Sequence, residues 1–192
     1  MLRFNKVIVT PSFFLMLGGA LLLGAVEVLP LISLAALLHE MGHLLALRVF
    51  GVGVEGIYFT AFGMEIRADT RFLPYQKDMI CTLAGPLVNL LSAVVLARLA
   101  GDYLLAGANL LEGVFNLLPL TGLDGARALH LLLSWCFDPI RADRICRMVE
   151  VVCAVLLAVG SLYLMVCWHT GGFLLVAVVG IFVNIWRDRQ SK

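Results

Sequence analysis

The sequence predicts an all-α, polytopic membrane protein with about six transmembrane helices and a small membrane-associated β-hairpin after the second. Its 192 residues are 61% hydrophobic and 14% charged, whereas a soluble domain is about half apolar and about a quarter charged. The mean hydropathy is +0.99. This excess of apolar residues indicates several membrane spans rather than one buried core. The net charge of +1 and the lack of a basic run give no sign of nucleic-acid binding.

The apolar runs give the number of spans. They fall at about 12–28, 30–50, 79–99, 103–120, 148–168 and 171–186, and several approach the ~20 residues that cross the hydrocarbon core. Arg3 and Lys6 precede the first run, but no small-residue cleavage site follows it. We therefore expect an uncleaved first transmembrane helix.

The basic residues support the same count. If the N-terminus is cytoplasmic and six spans alternate, thirteen of the fourteen Lys and Arg residues lie inside and only Arg98 lies outside. Cytoplasmic loops of membrane proteins carry this excess of positive charge. We therefore expect a multi-pass protein of the cell membrane with both termini in the cytoplasm.

Two segments between the spans have a different character. Residues 51–76 are rich in β-branched and aromatic residues around Gly63, which predicts a β-hairpin beside the cytoplasmic face. Residues 126–146 predict a cytoplasmic helix or half-helix that is broken near Asp138-Pro139.

The second apolar run contains the motif His39-Glu40-Met41-Gly42-His43. Residues four apart share one face of a helix, so both imidazoles can bind one zinc ion. The glutamate between them can act as general base toward a zinc-bound water. At ~1.5 Å per residue the motif lies roughly 10–16 Å below the membrane surface. Ionisable groups at that depth indicate a functional site.

A catalytic zinc site needs a third protein ligand. The segment NLLPLTGLDGARAL, residues 116–129, supplies Asp124 after Pro119 and Gly122 have interrupted the fourth span. Taken alone, Asp124 also suits the N-cap of a helix over Ala126–Trp135. Beside the histidine motif, we predict that it is the third ligand.

Three motifs together resemble the site-2 protease family of intramembrane zinc metalloproteases: HEMGH in an early span, AGPLVN at residues 84–89 and NLLPLTGLDG at residues 116–125. The resemblance covers about residues 30–130 and implies one zinc ion on His39, His43 and Asp124, with Glu40 as base. It also implies that the hairpin, at residues 52–68, pairs with an unwound substrate segment. The compact plan looks most like the sporulation factor FB subgroup and suits a bacterial protein.

The aspartate motif departs from the family pattern P-L-D-G-G-R, because Gly122 replaces the proline and Ala126 the second glycine. Both changes could shift the loop, although no ligand is lost. Asn89 and Asn116 accompany the motifs. They are candidates for orienting the substrate backbone or stabilising the oxyanion, and interhelical hydrogen bonding is an equally good interpretation.

These features predict a single intramembrane metalloprotease domain over residues 1–192, with a catalytic core at about 30–130 and C-terminal helices at about 147–186. Its expected partners are the lipid bilayer and a membrane-spanning or membrane-tethered protein substrate, with a membrane regulator or a second copy of the chain as further candidates. Two alternatives are a non-catalytic zinc-binding scaffold and a metal transporter. The presence of Glu40 disfavours the scaffold, and the scarcity of polar residues in the last two spans disfavours the transporter.

Other chemically interesting residues give weaker signals. The five cysteines form no CxxC pair and lie in or beside apolar runs, which indicates small apolar side chains in helices. His130 and His169 have no partner at ligand spacing. Glu112, one turn before Asn116, predicts either a hydrogen bond to an asparagine or a place on the water path to zinc.

Overall fold

In the computed structural model, residues 6–22, 25–60 and 63–168 are described. The helices are α1 (Pro11–Leu22), α2 (Leu29–Val49), α3 (Tyr75–Val95), α4 (Tyr103–Asn116), α5 (Asp124–Cys136) and α6 (Pro139–Trp168). A 3-10 turn, Ala25–Glu27, precedes α2, and a π-helical turn, Leu96–Ala100, extends α3. The strands are β1 (Val7–Val9), β2 (Val54–Thr60) and β3 (Gly63–Ala68). The fold is therefore mostly helical with one small sheet.

Three of the described helices are long and apolar enough to cross a bilayer: α2, the combined segment Tyr75–Ala100, and Pro139–Cys167 of α6. They identify the chain as a membrane protein. Helices α1 and α4 have 12 and 14 residues, below the ~20 that a perpendicular crossing requires. The predicted sixth span, at residues 171–186, lies outside the described residues. The count of six spans stays a prediction.

The sheet has the order β1-β2-β3. Strands β2 and β3 pair antiparallel, with Ile57 opposite Ile66 and Thr60 opposite Gly63, in the segment where the sequence predicts a hairpin. Strand β1 adds parallel to β2, and this strand was not predicted. The Thr10 hydroxyl and amide both donate to the Phe59 carbonyl, at 2.8 and 2.9 Å. These bonds fix the start of α1 beside the sheet.

The residues cluster into two compact units, Met1–Asn116 and Leu117–Lys192. The prediction of a single domain over 1–192 therefore stays a prediction. In the first unit, Ala46 and Leu47 of α2, Val54 of β2 and Cys81 of α3 form a buried cluster. This cluster ties the two helices to the sheet and sets the position of α2 against α3.

The turn between β3 and α3 is held by an ion pair at the surface. Arg71 donates from Nε and Nη2 to the two carboxylate oxygens of Asp69, each at 2.8 Å. These hydrogen bonds lower the pKa of Asp69 to about 2. The carboxylate is therefore ionised at neutral pH and accepts both hydrogen bonds from Arg71.

In the second unit, α5 and α6 are separated at Phe137-Asp138, close to the predicted break. The amide of Thr121 donates to Glu150 at 2.8 Å, and His130 Nε2 lies 3.0 Å from Asp143 Oδ1. His130 thus has an acidic partner that sequence spacing did not predict, while His169 lies outside the described residues. The long α6 begins nine residues before the predicted fifth span, because Pro139 suits the first turn of a helix.

Candidate metal centre

The His39-Glu40-Met41-Gly42-His43 motif lies in the middle of α2. The two Nε2 atoms are 3.1 Å apart, and the ring centroids are separated by 4.8 Å. His39 is 4% exposed and Glu40 8% exposed. The helical spacing therefore brings the two imidazoles together as predicted and places the glutamate beside them in a shielded environment.

The ring of His43 is oriented by the backbone of α3. Its Nδ1 lies 2.8 Å from the carbonyl oxygen of Cys81, which can only accept a hydrogen bond. Nδ1 therefore carries the proton, and Nε2 of the neutral ring keeps its lone pair for a metal ion. Ligating histidines are commonly fixed through the second nitrogen in this way.

The histidine pair fits a zinc ion. Two Zn–N bonds of ~2.05 Å at a tetrahedral angle place the nitrogens about 3.3 Å apart, close to the 3.1 Å between His39 Nε2 and His43 Nε2. Two facing lone pairs repel each other unless a proton or a cation lies between them. A proton on His39 Nε2 would satisfy this contact, and a metal ion shared by both nitrogens would satisfy it at nearly the same separation.

Two glycines create the space in which this pair forms. A Cβ on Gly42 would lie 2.6 Å from the carbonyl oxygen of Ala84, so α2 and α3 cross in backbone contact. A Cβ on Gly85 would collide with His43 Nε2 and lie 2.8 Å from His39 Nε2. The absent side chain of Gly85 thus leaves room beside the two nitrogens that the metal ion would share.

Gly85→Ala is expected to lower zinc affinity by about 10- to 100-fold, the range found when residues that support metal ligands are altered. The new methyl group would push the imidazole of His43 out of the position that it shares with His39. Zinc content of the purified protein in the presence of a competing chelator measures the effect. Gly107→Ala is the matched control, because a Cβ there meets nothing within 4 Å. Equal zinc retention by both variants would contradict this role of Gly85.

Asn89 lies in α3 and is fully buried, with 0% exposure. Its Nδ2 donates to the carbonyl oxygen of Ala35 in α2 at 3.2 Å. This bond is the interhelical contact that the sequence offered as one interpretation, and it ties α3 to α2 one turn before His39. A role of Asn89 on substrate or oxyanion stays a prediction.

Asn116 is the last residue of α4, in the first unit. Its Nδ2 lies 3.2 Å from both the backbone oxygen and the Oε1 of Glu112. Of the two interpretations of Glu112, the hydrogen bond to an asparagine is therefore present. A role of Asn116 on substrate stays a prediction.

Asp124 is the first residue of α5, in the second unit, and the N-cap position is taken by Leu123. The preceding Gly122 has φ 95°, a value that the proline of the family motif cannot adopt. The glycine at position 122 therefore has a backbone conformation that a proline would exclude. Gly125 allows close approach, since a Cβ there would lie 2.5 Å from the Leu118 carbonyl oxygen.

The three candidate ligands are of residue types that commonly bind zinc. His39, His43 and Asp124 form a group whose side chains could hold a metal ion. Two imidazole nitrogens and one carboxylate, with a fourth position left for water, are a ligand combination of catalytic zinc. The sequence signals for these residues were the H-E-x-x-H spacing and the L-D-G element. The Cys81 carbonyl and the contact of Gly85 with both imidazoles were missed.

No family model matches the chain. It is 25% identical over 173 residues to a zinc metalloprotease of Methanocaldococcus jannaschii, an alignment that covers 84% of this chain and 48% of the relative. It is 28% identical over 138 residues to the stage IV sporulation protein FB of Bacillus subtilis, covering 67% of this chain and 48% of that protein. The chain thus spans about half the length of the curated relatives it matches.

A protein of known structure has a similar fold. The site-2 protease of Methanocaldococcus jannaschii superposes with a TM-score of 0.70 at 22% sequence identity, covering 95% of this chain and 91% of that one. The sporulation protein among the relatives agrees with the subgroup that the motifs suggested. Together with the histidine pair on α2, these similarities support the resemblance of the chain to the site-2 protease family, including the branch of sporulation protein FB.

Proposed function

We propose that this chain is an intramembrane zinc endopeptidase that hydrolyses peptide bonds of membrane-spanning or membrane-tethered proteins. The observation that carries the proposal is the pair of Nε2 atoms 3.1 Å apart on an apolar helix, with Glu40 beside them and shielded from solvent. A metal-binding pair and a carboxylate at membrane depth have a high cost in free energy, which a catalytic role would explain.

We assign one zinc ion per chain to His39, His43 and Asp124, the group whose donor atoms suit it. When bound, zinc acts as a Lewis acid that polarises the scissile carbonyl and makes water more acidic. The hydrogen bond from His43 Nδ1 to the Cys81 carbonyl leaves Nε2 as the nitrogen that would bind the ion. Gly85 keeps side-chain atoms away from the same space.

Glu40 moves the proton. It adjoins His39 in the sequence and is 8% exposed. Few molecules of bulk water can therefore form hydrogen bonds with its carboxylate. We propose that one oxygen takes a proton from the attacking water and later delivers it to the amine of the leaving peptide. General base and general acid are then the same side chain, which acts first on the attacking water and then on the amide nitrogen as the C–N bond breaks.

The substrate must be extended before it can react, because the carbonyl groups of a transmembrane helix are already hydrogen-bonded. The sheet offers a template for that extension. Strand β2 lies between β1 and β3, so its own edges are filled. We propose that an unwound substrate segment pairs with the outer edge of β3, which is six residues long, rather than with the three residues of β1.

The distribution of basic residues supports a multi-pass orientation with both termini in the cytoplasm and the zinc site nearer that face. Products would then be released into the cytoplasm. The proposed partners are the lipid bilayer and a membrane protein substrate. A helix-breaking residue near the cleaved bond is the substrate feature that this mechanism favours.

Metal removal tests the proposal. The purified protein in detergent or liposomes is incubated with a fluorogenic peptide that contains one transmembrane segment with a helix-breaking residue. We expect cleavage to fall to background after zinc is chelated, and to return when about one equivalent of zinc is restored. Cleavage that persists without metal would contradict a zinc mechanism. A zinc-loaded protein that binds the peptide and never cuts it would instead support the alternative, a non-catalytic zinc-binding scaffold.

A further inference from the structure

The carboxyl group of Glu150 lies in an apolar part of α6. From Met148 to Trp168, Glu150 is the one residue that is Asp, Glu, Lys or Arg. It belongs to the stretch Pro139–Cys167, which is long and apolar enough to cross a bilayer. Within one turn of it, Met148 and Val152 are apolar side chains that are 57% and 58% exposed. A carboxyl group in such a helix is costly unless it has a partner and a use.

The partner of Glu150 is the backbone of the loop that precedes α5. The amide of Thr121 donates to Glu150 Oε1 at 2.8 Å, across a separation of 29 residues in the sequence. The acceptor is a side-chain oxygen, so an apolar residue at position 150 could not form this bond. A hydrogen bond to an ionised carboxylate is also stronger than one between neutral groups. Glu150 therefore links α6 to this loop through the chemistry of its own side chain.

The loop needs such an acceptor because of its turn. The amide of Leu123 donates to the carbonyl oxygen of Leu120 at 3.0 Å, and Gly122 has φ 95°. A positive φ at the third of four residues is typical of a type II turn. The amide of the second residue, Thr121, forms no hydrogen bond inside such a turn, and Glu150 supplies its acceptor. A turn that contains glycine also loses more conformational freedom when it is ordered.

This turn leads directly to Asp124, the first residue of α5. A Cβ on Gly125 would lie 2.5 Å from the carbonyl oxygen of Leu118, so the first turn of α5 rests against the backbone of the loop. A shift of the loop would therefore move the start of α5 and the carboxylate of Asp124 with it. Metal sites are sensitive to such shifts, since ligand distances vary by only about 0.2 Å. All of these residues belong to the second unit.

We propose that Glu150 is a positioning residue for zinc binding: its carboxyl oxygen holds the amide of Thr121 and thereby fixes the loop that presents Asp124. This inference rests on the proposed function, in which Asp124 is the third zinc ligand, and deepens it. Glu150 acts through the loop and contacts neither the ion nor the attacking water.

Three substitutions separate the hydrogen bond from the charge and the size of the side chain. Glu150→Leu and Glu150→Ala both remove the acceptor, whereas Glu150→Gln keeps a side-chain oxygen. For the first two we expect the dissociation constant of zinc to rise about tenfold, and for Glu150→Gln to stay within about threefold of the unmodified chain. The measurement is competition with a chelator of known affinity, on the full chain purified in detergent. Val152→Leu, at an exposed position of α6, is the matched control.

Hydrogen exchange of the loop tests the link without zinc. In the metal-free protein, the segment 117–123 should exchange faster in Glu150→Leu and Glu150→Ala than in the unmodified chain, because the Thr121 amide has lost its acceptor. Glu150→Gln should exchange at the unmodified rate. Helical content should be the same in all variants. Excess zinc should restore cleavage by Glu150→Leu to within about threefold, because mass action offsets a loss of affinity.

The proposal is overturned if Glu150→Leu and Glu150→Ala bind zinc as tightly as the unmodified chain, or if Glu150→Gln is equally impaired. It is also overturned if exchange of the loop does not change, or if saturating zinc fails to restore cleavage, since Glu150 would then act in the chemistry itself. The zinc affinity of the unmodified chain is measured first. An unmodified chain that binds no zinc would contradict the proposed metal site, and the exchange rates would still report separately on the bond between Glu150 and Thr121.

Discussion

Glu40→Gln is expected to reduce peptide-bond cleavage by about 10³-fold or more, because general acid–base catalysis contributes about 10²–10⁴-fold and this carboxylate would serve both proton transfers. The amide of glutamine is nearly isosteric but cannot take a proton from water at neutral pH. Glu40 is buried on α2 between the two histidines in sequence, so a substitution of equal size should leave the helix intact. The measurement is single-turnover cleavage of the transmembrane peptide by zinc-loaded protein.

Zinc content and peptide binding should not change in the Glu40→Gln variant. Zinc content should stay at about one ion per chain, and the peptide should still bind, because His39 and His43 keep their separation. Met41→Leu is the matched control on the same helix, since the side chain of Met41 is 55% exposed. If Glu40→Gln retained a rate within tenfold of the unmodified chain, Glu40 would not be the base. The proton would then have to be taken by another group.

The histidine pair could be predicted from sequence because a helix fixes the geometry of residues four apart. The apolar residues around the motif predict a helix, and a helix places His39 and His43 on one face. The 3.1 Å separation of their Nε2 atoms follows from that spacing. The long apolar runs were likewise sufficient for α2 and α3, where hydropathy alone sets length and environment.

Strand β1 could not be predicted in the same way. Its three residues, Val7–Val9, are too few to display an alternating pattern, and its stability comes from pairing with Ile57–Phe59 about fifty residues away. Such long-range partners have no local signal. The same limitation applies to the 3-10 turn before α2 and to the early start of α6, where helix ends depend on neighbouring packing.

The residues that support the metal pair were missed for a different reason. Cys81 acts through its backbone carbonyl, which every residue possesses, so its identity carries no information. Gly85 acts through the absence of a side chain, which a sequence records only as a glycine in a helix. Both effects depend on how closely α3 approaches α2, and that distance is a property of packing.

Asp124→Asn is expected to lower zinc affinity by more than about 100-fold, exceeding the loss from altering a residue that only supports a ligand. An uncharged amide is a much poorer ligand for a dication than a carboxylate, whereas in the first turn of α5 the loss of the charge costs only about 0.3–1 kcal/mol. The substitution therefore distinguishes the two interpretations of this residue. If Asp124 serves only to begin α5, Asp124→Asn should bind zinc normally. If it is the third ligand, zinc and cleavage should be lost while the helix remains.

Zinc retention against a chelator of known affinity, together with helical content from circular dichroism, gives the answer. Asp143→Asn is the matched control, because that carboxylate lies in the same unit and pairs with His130 at the surface. A third variant, Gly122→Pro, tests whether the altered loop matters. Gly122 has φ 95°, so proline would force the backbone before Asp124 into another conformation. Loss of zinc in Gly122→Pro as well as in Asp124→Asn would mean that this chain places its carboxylate through a loop different from that of the family motif it resembles.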